Sequence, residues 1–484
     1  MTRTSGSKVL SNLFWKFAER ILAQVITFIV SIILARLLLP EDYGVVALVL
    51  VFINIANVFV SSGFGEALII EDNADELEYS SIFWSSFGFA WILYFVIVFA
   101  APWISKVYHN PDLIIVFRVL GLKIPLSSIN TVQHAIVSKN LQFRRFFFST
   151  LAGTLISGVV GIGMAYKGYG VWAIVFQYLV NSSIDTLVLL FTVKWHPRFM
   201  FSYERVKHMM KYGWNLMFST LINTVYGELQ SLIIGVWYTS ADLAQYKRGN
   251  QFPSLFVNNV NTAISSVLFP VMAKEKDNVK TVKAITRQSL QLTSYIMFPI
   301  MTGLAVTATP LVSVLLTDKW LDCVPYLRIC CACFVLQPLQ TANVQAINAI
   351  GRSDVCLKME IIKKIIGVAL LFAAIPFGVI AIAYSLLASV IFSTIVSCTP
   401  NRKLIFYGYR EQLKDIIQPL IYCVIMAMVV IPIQMLHIPQ VAVLLLQILV
   451  GSVVYILASA INKNSSYIYL YAKLKIIKNK VISR

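Results

Sequence analysis

Residues 440–461 read QVAVLLLQILVGSVVYILASAI, an apolar stretch of 22 residues without a charge. A helix rises about 1.5 Å per residue, so about twenty such residues match the roughly 30 Å hydrocarbon core of a bilayer. A chain inside lipid has to satisfy its own backbone hydrogen bonds, which makes a run of this length a helix. Similar runs recur upstream as far as Leu13, separated by short polar breaks. The pattern predicts an all-α membrane protein that crosses the bilayer many times.

We expect about fourteen transmembrane helices, with no segment between them long enough for a separate soluble domain. The predicted spans are residues 13–39, 44–62, 81–101, 113–137, 147–166, 171–193, 212–238, 252–272, 288–316, 325–350, 361–376, 378–399, 416–436 and 440–461. The first run is too long for a cleavable signal peptide and lacks a small-residue cleavage site, so we expect it to remain as a helix.

The basic residues predict the orientation. The chain has 58% hydrophobic and 13% charged residues, a mean hydropathy of +0.76 and a net charge of +18. With the N-terminus inside, cytoplasmic segments hold about 29 of the 40 Lys and Arg residues and the outer loops only about five. Cytoplasmic loops carry such an excess in membrane proteins, so both termini should be cytoplasmic. The surplus therefore marks topology and not nucleic-acid binding. One inner loop, residues 63–80, is acidic; it should pair with basic loops or contact a cytoplasmic partner.

The polar residues outside the spans argue against an enzyme. The outer loops are short, the five histidines are scattered, and no phosphate-binding GxxxxGK[ST] loop occurs. The cluster Cys330, Cys331 and Cys333 has neither zinc-ligand spacing nor a nearby histidine and is expected to pack in the core. We therefore predict a carrier, with no catalytic residue, metal site or cofactor.

Basic residues at membrane depth indicate a transport path, because a charge there is costly unless it faces a cavity or a partner. Lys123 lies about ten residues into its span, and Pro125 just beyond can kink the helix and open its backbone toward a cavity. Lys123 has two interpretations: it lines a cavity, or it forms a buried ion pair. Arg20 and Arg118 lie nearer the ends of their spans, where snorkelling to the headgroups competes with cavity lining.

Acidic residues at the same depth are the natural counter-charges. Asp185 and Glu228 either neutralise a neighbouring cation, carry a proton, or form a site for a coupling ion, for which Glu19 is a further candidate. Several basic side chains around a cavity would suit an anionic cargo, since guanidinium and ammonium groups bind phosphate strongly.

Short motifs at the helix ends point to a family. They are LARLLLPEDYG (34–44), SGFGEALI (62–69), APWISKVYHNPDL (101–113), NLQFRRF (140–146), GYGVWAIV (168–175), YKRGNQFP (246–253), LFPVMAKEK (268–276), LLTDKWLDCVPYLRI (315–329) and NAIGRSD (348–354). In combination they resemble the polysaccharide-transporter branch, the O-antigen and exopolysaccharide flippases, of the multidrug/oligosaccharidyl-lipid/polysaccharide exporter superfamily. The resemblance covers about residues 10–400. It departs at Lys247 and Gly249 from the family's usual Tyr-Ser-Arg-Ala.

The resemblance implies two six-helix bundles around a central cavity plus two C-terminal helices, divided as residues 1–200, 201–400 and 401–484. The implied cargo is an undecaprenyl-diphosphate-linked oligosaccharide repeat unit, moved across the bacterial inner membrane by alternating access. Its diphosphate would meet Arg20, Arg118, Lys123 and Arg248, chosen by depth and charge. Membrane lipids, a polysaccharide polymerase and a chain-length regulator are the expected partners.

Three alternatives compete with this reading. A lipid II-type flippase shares the superfamily and the cationic cavity. A cation-coupled multidrug antiporter would need an acidic, aromatic-lined cavity, whereas the deep charges here lean basic. A glycan polymerase or ligase would need a large periplasmic loop with paired arginines or acidic residues, and the outer loops are short.

Overall fold

The computed structural model describes residues 6–70, 74–140 and 142–482, and every regular element in those ranges is helical. The chain divides into two compact units, Met1–Ala244 and Gln245–Arg484. Large apolar side chains cover much of the surface, as Phe99 (79% exposed) and Phe191 (86% exposed) illustrate. Such a surface suits hydrocarbon and not water. The predicted all-α membrane fold is confirmed.

The described part of the first unit holds the helices of the predicted spans one to seven. They are α1 (Gly6–Leu37), α2 (Pro40–Val58), a π-helical segment (Phe59–Gly65), α3 (Glu66–Ile70), α4 (Glu76–Val107), α5 (Asp112–Leu120), α6 (Lys123–Ile129), α7 (Thr131–Lys139), α8 (Phe143–Tyr166), α9 (Val171–Thr192) and α10 (Tyr203–Trp237).

Helix α11 (Ser240–Lys274) begins at the end of the first unit and continues into the second. It is followed by α12 (Val279–Val306), α13 (Ala308–Leu316), a 3₁₀ turn (Asp318–Cys323), α14 (Val324–Val335), α15 (Gln337–Ala349), α16 (Ser353–Ala374), a 3₁₀ turn (Ile375–Phe377), α17 (Val379–Cys398), α18 (Asn401–Leu404), α19 (Tyr409–Val430), a 3₁₀ turn (Ile431–Met435), α20 (Gln440–Ile461) and α21 (Ser465–Ile482).

Ten helical stretches of the described chain are long and apolar enough to cross a membrane. They coincide with ten of the fourteen predicted spans. The other four, residues 113–137, 212–238, 252–272 and 361–376, are also helical, but they are broken or carry more polar and charged side chains. The total of fourteen crossings therefore stays a prediction. The four remaining spans differ from the other ten by their polar and charged residues or their helix breaks.

Helix α10 packs within the first unit, against α2, α4 and the π-helical segment. Gly213 of α10 lies so close to this segment that a Cβ there would stand 2.5 Å from the carbonyl oxygen of Gly63. The predicted division at residues 200 and 400 stays a prediction, while the boundary between the compact units of the structure falls after Ala244.

Hydrogen bonds join the start of α10 and the chain just before it to the start of α4. Arg205 donates to Glu78 at 2.7 Å, the Ser202 amide donates to Ser81 Oγ at 2.9 Å, and Trp84 Nε1 donates to the Arg198 carbonyl at 2.8 Å. The acidic stretch after α3 thus pairs with basic residues, as one of its two interpretations required. Residues 71–73 of that stretch lie outside the described part of the chain.

A buried carboxylate ties α19 to α12 in the second unit. Asp415 Oδ1 accepts from Arg287 Nε at 2.9 Å and Nη2 at 2.7 Å, and from Gln291 at 2.8 Å. Its Oδ2 accepts from the fully buried Tyr407 hydroxyl at 2.7 Å. The predicted thirteenth helix is therefore an integral part of the second unit.

The turn between α1 and α2 explains the PEDYG sequence. Pro40 occupies the first helical position, where its missing N–H costs nothing, and Asp42 accepts from the Leu39 amide at 3.2 Å. The turn between α10 and α11 repeats this arrangement, with Asp242 accepting from the Thr239 amide at 3.1 Å. The two turns meet where Gly44 faces the backbone of Ser240, whose carbonyl oxygen leaves no room for a Cβ.

We expect Gly44→Ala to lower the free energy of unfolding by about 1–3 kcal/mol, because the added methyl overlaps the Ser240 backbone. Gly163→Ala in α8 is the matched control, since no atom lies within 4 Å of its added Cβ. It should be neutral or stabilise by up to about 1 kcal/mol. Thermal unfolding in detergent measures both, and equal effects would contradict the close approach at Gly44.

Asp415→Asn should lower the free energy of unfolding by about 1–3 kcal/mol, because it removes the charge that both Arg287 nitrogens bind. Asp354→Asn is the control. The hydrogen bond from Arg352 holds the pKa of Asp354 at about 2, but this pair is fully exposed and water screens it. Its substitution should leave the thermal midpoint unchanged. An equal loss of stability in both variants would contradict the role of Asp415 in joining α19 to α12.

Candidate functional site

A polar cavity of about 490 Å³ lies inside the first unit. Small-molecule sites typically enclose about 300–1,000 Å³. Its walls come from α2 and the π-helical segment, α3, α6, α7 and α9. The lining residues are Asn57, Val60, Ser61, Gly65, Glu66, Ile69, Lys123, Ser127, Asn130, Thr131, His134, Ala135, Ser138, Asn181, Ser182 and Asp185. Most of these side chains are polar.

Interrupted helices form two of the cavity walls. The fourth predicted span, residues 113–137, is not one kinked helix but the three short helices α5, α6 and α7. Pro125 has no N–H to donate to the Gly121 carbonyl, which accepts instead from the Ile124 amide at 2.9 Å. The break therefore falls before Pro125, and Lys123 begins a new helix. The π-helical segment, which packs against α6 and α7, places Val60, Ser61 and Gly65 at the cavity.

Lys123 extends from the start of α6 into this cavity. Its ammonium nitrogen lies 5.2 Å from the centre of the Tyr178 ring, a favourable cation–π position. Among the described residues no carboxylate lies within 4 Å of that nitrogen. Of the two interpretations of Lys123, the structure therefore shows the cavity position and not a direct ion pair.

Asp185 of α9 faces the same cavity and is held by side chains of two further helices. It accepts from Asn130 Nδ2 at 3.0 Å and lies 3.2 Å from His134 Nε2, and the Ser149 hydroxyl donates to its other oxygen. The His134 ring stacks on Phe146 with centres 4.9 Å apart. The nearest titratable partner of Asp185 is thus an imidazole and not one of the deep cations that the sequence suggested.

The other predicted site residues do not line this cavity. Arg20 on α1 and Arg118 on α5 have exposed side chains. Glu228 on α10 accepts from Asn54 at 3.2 Å and from Ser231 at 3.3 Å. Glu19 lies in α1, but its side chain is outside the described part of the structure.

Arg248 in α11 has a different environment. It is 5% exposed, its guanidinium lies 4.8 Å from the centre of the Trp320 ring, and Nη1 donates to Gln251 at 2.6 Å. These contacts give Arg248 a packing role within the second unit. Its predicted contact with a diphosphate stays a prediction.

Sequence reasoning missed His134, Asn130 and Glu66. His134 follows Lys123 by eleven residues, three turns of a regular helix, so the spacing indicates a shared face. The pair Asn130 and His134, four residues apart, gives the same indication. Glu66 belongs to the acidic stretch that we assigned to the cytoplasmic surface, and only the fold brings it to the cavity. Among the described residues no group of three or more His, Cys, Asp or Glu side chains could hold a metal ion.

Comparison with known proteins identifies relatives of similar sequence. The succinoglycan biosynthesis transport protein ExoT of Rhizobium meliloti (strain 1021) is 25% identical over 322 residues, 66% of this chain and 65% of that protein. The match thus spans just under two-thirds of ExoT. The lipopolysaccharide biosynthesis protein WzxC of Escherichia coli (strain K12) is 22% identical over 393 residues, 81% of this chain and 80% of its own length.

Solved structures show the same fold. The lipid II flippase MurJ in an inward closed conformation superimposes with a TM-score of 0.76 at 15% identity, over 93% of this chain and 98% of MurJ. A profile of the family described as polysaccharide biosynthesis protein matches residues 33–325, more than half of the chain. The resemblance seen in the helix-end motifs is confirmed, and the chain belongs to the polysaccharide biosynthesis protein family.

Proposed function

We propose that this protein is a flippase, which moves undecaprenyl-diphosphate-linked oligosaccharide repeat units from the cytoplasmic to the periplasmic leaflet of the inner membrane for O-antigen, capsule or exopolysaccharide synthesis. The observation that carries the proposal is the polar cavity with the Lys123 ammonium in its wall, bordered by the apolar stretches Pro40–Ile69 and Val171–Thr192. A charge in such surroundings is costly, so its presence points to a charged or polar cargo.

The chemistry of the cavity fits the charged part of this cargo. A diphosphate presents several oxygen acceptors, and Lys123 and Asn181 bring an ammonium donor and an amide donor to one space. The sugars would occupy polar surroundings while the polyprenyl tail stays in lipid. The family membership and the transport function named for ExoT support a role in polysaccharide export.

Transport is proposed to proceed by alternating access, in which the cargo site opens to one side of the membrane at a time. Lys123 is the proposed first contact of the diphosphate, and Arg20, Arg118 and Arg248 are proposed to contact it elsewhere on its path. Glu19, Asp185 and Glu228 are the proposed sites of ion coupling. Both termini are proposed to be cytoplasmic, where a basic tail would meet anionic headgroups. A polymerase and a chain-length regulator are the proposed partners.

We expect Lys123→Gln to slow translocation of a fluorescent undecaprenyl-diphosphate oligosaccharide in proteoliposomes by about ten- to a hundredfold. The reason is the loss of a charge-assisted hydrogen bond worth about 1.5–3 kcal/mol. Lys123→Arg keeps the charge and should recover part of the rate. Lys167→Gln, at an exposed turn after α8, is the matched control and should transport like wild type.

The same assay separates the alternatives. Normal transport by a folded Lys123→Gln variant would move the site elsewhere and leave the function intact. Wild-type protein that moves lipid II or a cationic drug, but not the oligosaccharide lipid, would replace the proposed cargo by one of the two competing classes.

A further inference from the structure

The pair formed by His134 and Asp185 lies at the cavity wall and has the parts of a proton-binding site. The imidazole Nε2 is 3.2 Å from Asp185 Oδ2, and the two side chains keep 43% and 21% of their surface accessible. Asn130, just before α7, and Ser149 of α8 fix the carboxylate by hydrogen bonds. Phe146 holds the imidazole ring by stacking. Both partners are therefore oriented, and both can be reached from the cavity.

The charges around the pair determine what its protonation would do. On α3, α6, α7, α8 and α9 the other titratable and charged groups are Glu66, Lys123, Lys139, Arg144, Arg145, Tyr166 and Tyr178. Of these, Lys123 and Glu66 line the cavity with the pair. Helices α2, α4 and α5 also pack against α7 or α9, and none of their titratable groups lines the cavity. With His134 neutral, the cavity carries the charges of Asp185, Glu66 and Lys123, a net charge of one negative. A proton on His134 makes the cavity neutral, so an anion enters at lower electrostatic cost.

Imidazole is the side chain whose charge ordinarily changes between about pH 5 and 8. In its neutral form Nε2–H donates to the carboxylate, a tautomer assigned from the acceptor that it faces. The incoming proton then adds at Nδ1, and no bond between heavy atoms forms or breaks. The positive ring remains paired with Asp185, which stabilises it.

We propose that the His134–Asp185 pair takes up one proton from solution when the diphosphate of the cargo binds beside Lys123. This inference rests on the proposed function and names its coupling ion and the residues that carry it. By thermodynamic reciprocity, a bound anion that favours protonation of the pair is itself bound more tightly when the pair is protonated. Affinity for the cargo should therefore rise as the pH falls.

The test uses the full-length protein in nanodiscs with undecaprenyl diphosphate as the probe. Calorimetry in buffers of different ionisation enthalpy gives the number of protons exchanged, and titrations between about pH 6 and pH 8 give the dissociation constant. Wild type should take up between about half a proton and one proton, and its affinity should change by up to tenfold per pH unit more than that of His134→Gln. His437→Gln, in an exposed loop, is the matched control and should behave like wild type.

The sign of the proton exchange distinguishes the protein from the probe. A diphosphate held by an ammonium group tends to lose protons, so net uptake has to come from the protein. Asp185→Asn removes the carboxylate that stabilises the imidazolium and should also abolish the uptake. Size-exclusion profiles verify that both variants fold, and the wild-type proton count is decisive without either of them.

The outcomes distinguish the proposed proton-coupling site from the proposed flippase function. Wild-type binding without proton uptake, or equal uptake by folded His134→Gln, would overturn the coupling site and leave the flippase proposal standing. If wild type does not bind undecaprenyl diphosphate at any pH, both the coupling site and the proposed cargo are wrong.

Discussion

The requirement that each backbone N–H and C=O inside hydrocarbon finds a partner governs this structure. Where the sequence is apolar, uninterrupted helices such as α4, α9 and α20 satisfy the requirement by themselves. Where helices are interrupted, at the π-helical segment and between α5, α6 and α7, polar side chains gather and the cavity forms. The irregular backbone and the polar cavity thus occur together, because only a polar space tolerates incomplete helical pairing within a membrane.

Lys123 and Asp185 carry opposite charges in the same cavity, but they do not form a direct ion pair. Lys123 lies over the Tyr178 ring, while Asp185 is held by Asn130, His134 and Ser149. A direct pair would satisfy both groups and leave little for a ligand. An amide, an imidazole and a hydroxyl instead hold the carboxylate in place, and an aromatic face holds the ammonium. Lys123 and Asp185 are thus each fixed without direct contact between them.

Composition and run length predicted the ten apolar helices because crossing hydrocarbon demands both. The same criteria failed on residues 113–137, where the separate effects of Gly121, Pro125 and Asn130 decide between one kinked helix and three short ones. Depth within a span singled out Lys123 and Asp185, and the structure places both at the cavity. Depth could not show that Arg248 packs on Trp320, since that contact joins residues distant in sequence. His134 was missed because a single histidine in a polar span carries little weight until its neighbours are known.

The division of one span into α5, α6 and α7 also bears on how the chain enters the membrane during synthesis. The longest of these helices has nine residues and reaches about 14 Å, roughly half of the hydrocarbon thickness. Such pieces cannot partition into lipid one at a time, because their ends would expose unsatisfied backbone groups. They have to be retained beside α4, which precedes them, until α8 and α9 emerge from the ribosome and complete the walls. We therefore expect insertion and tertiary packing of the first unit to be coupled during synthesis.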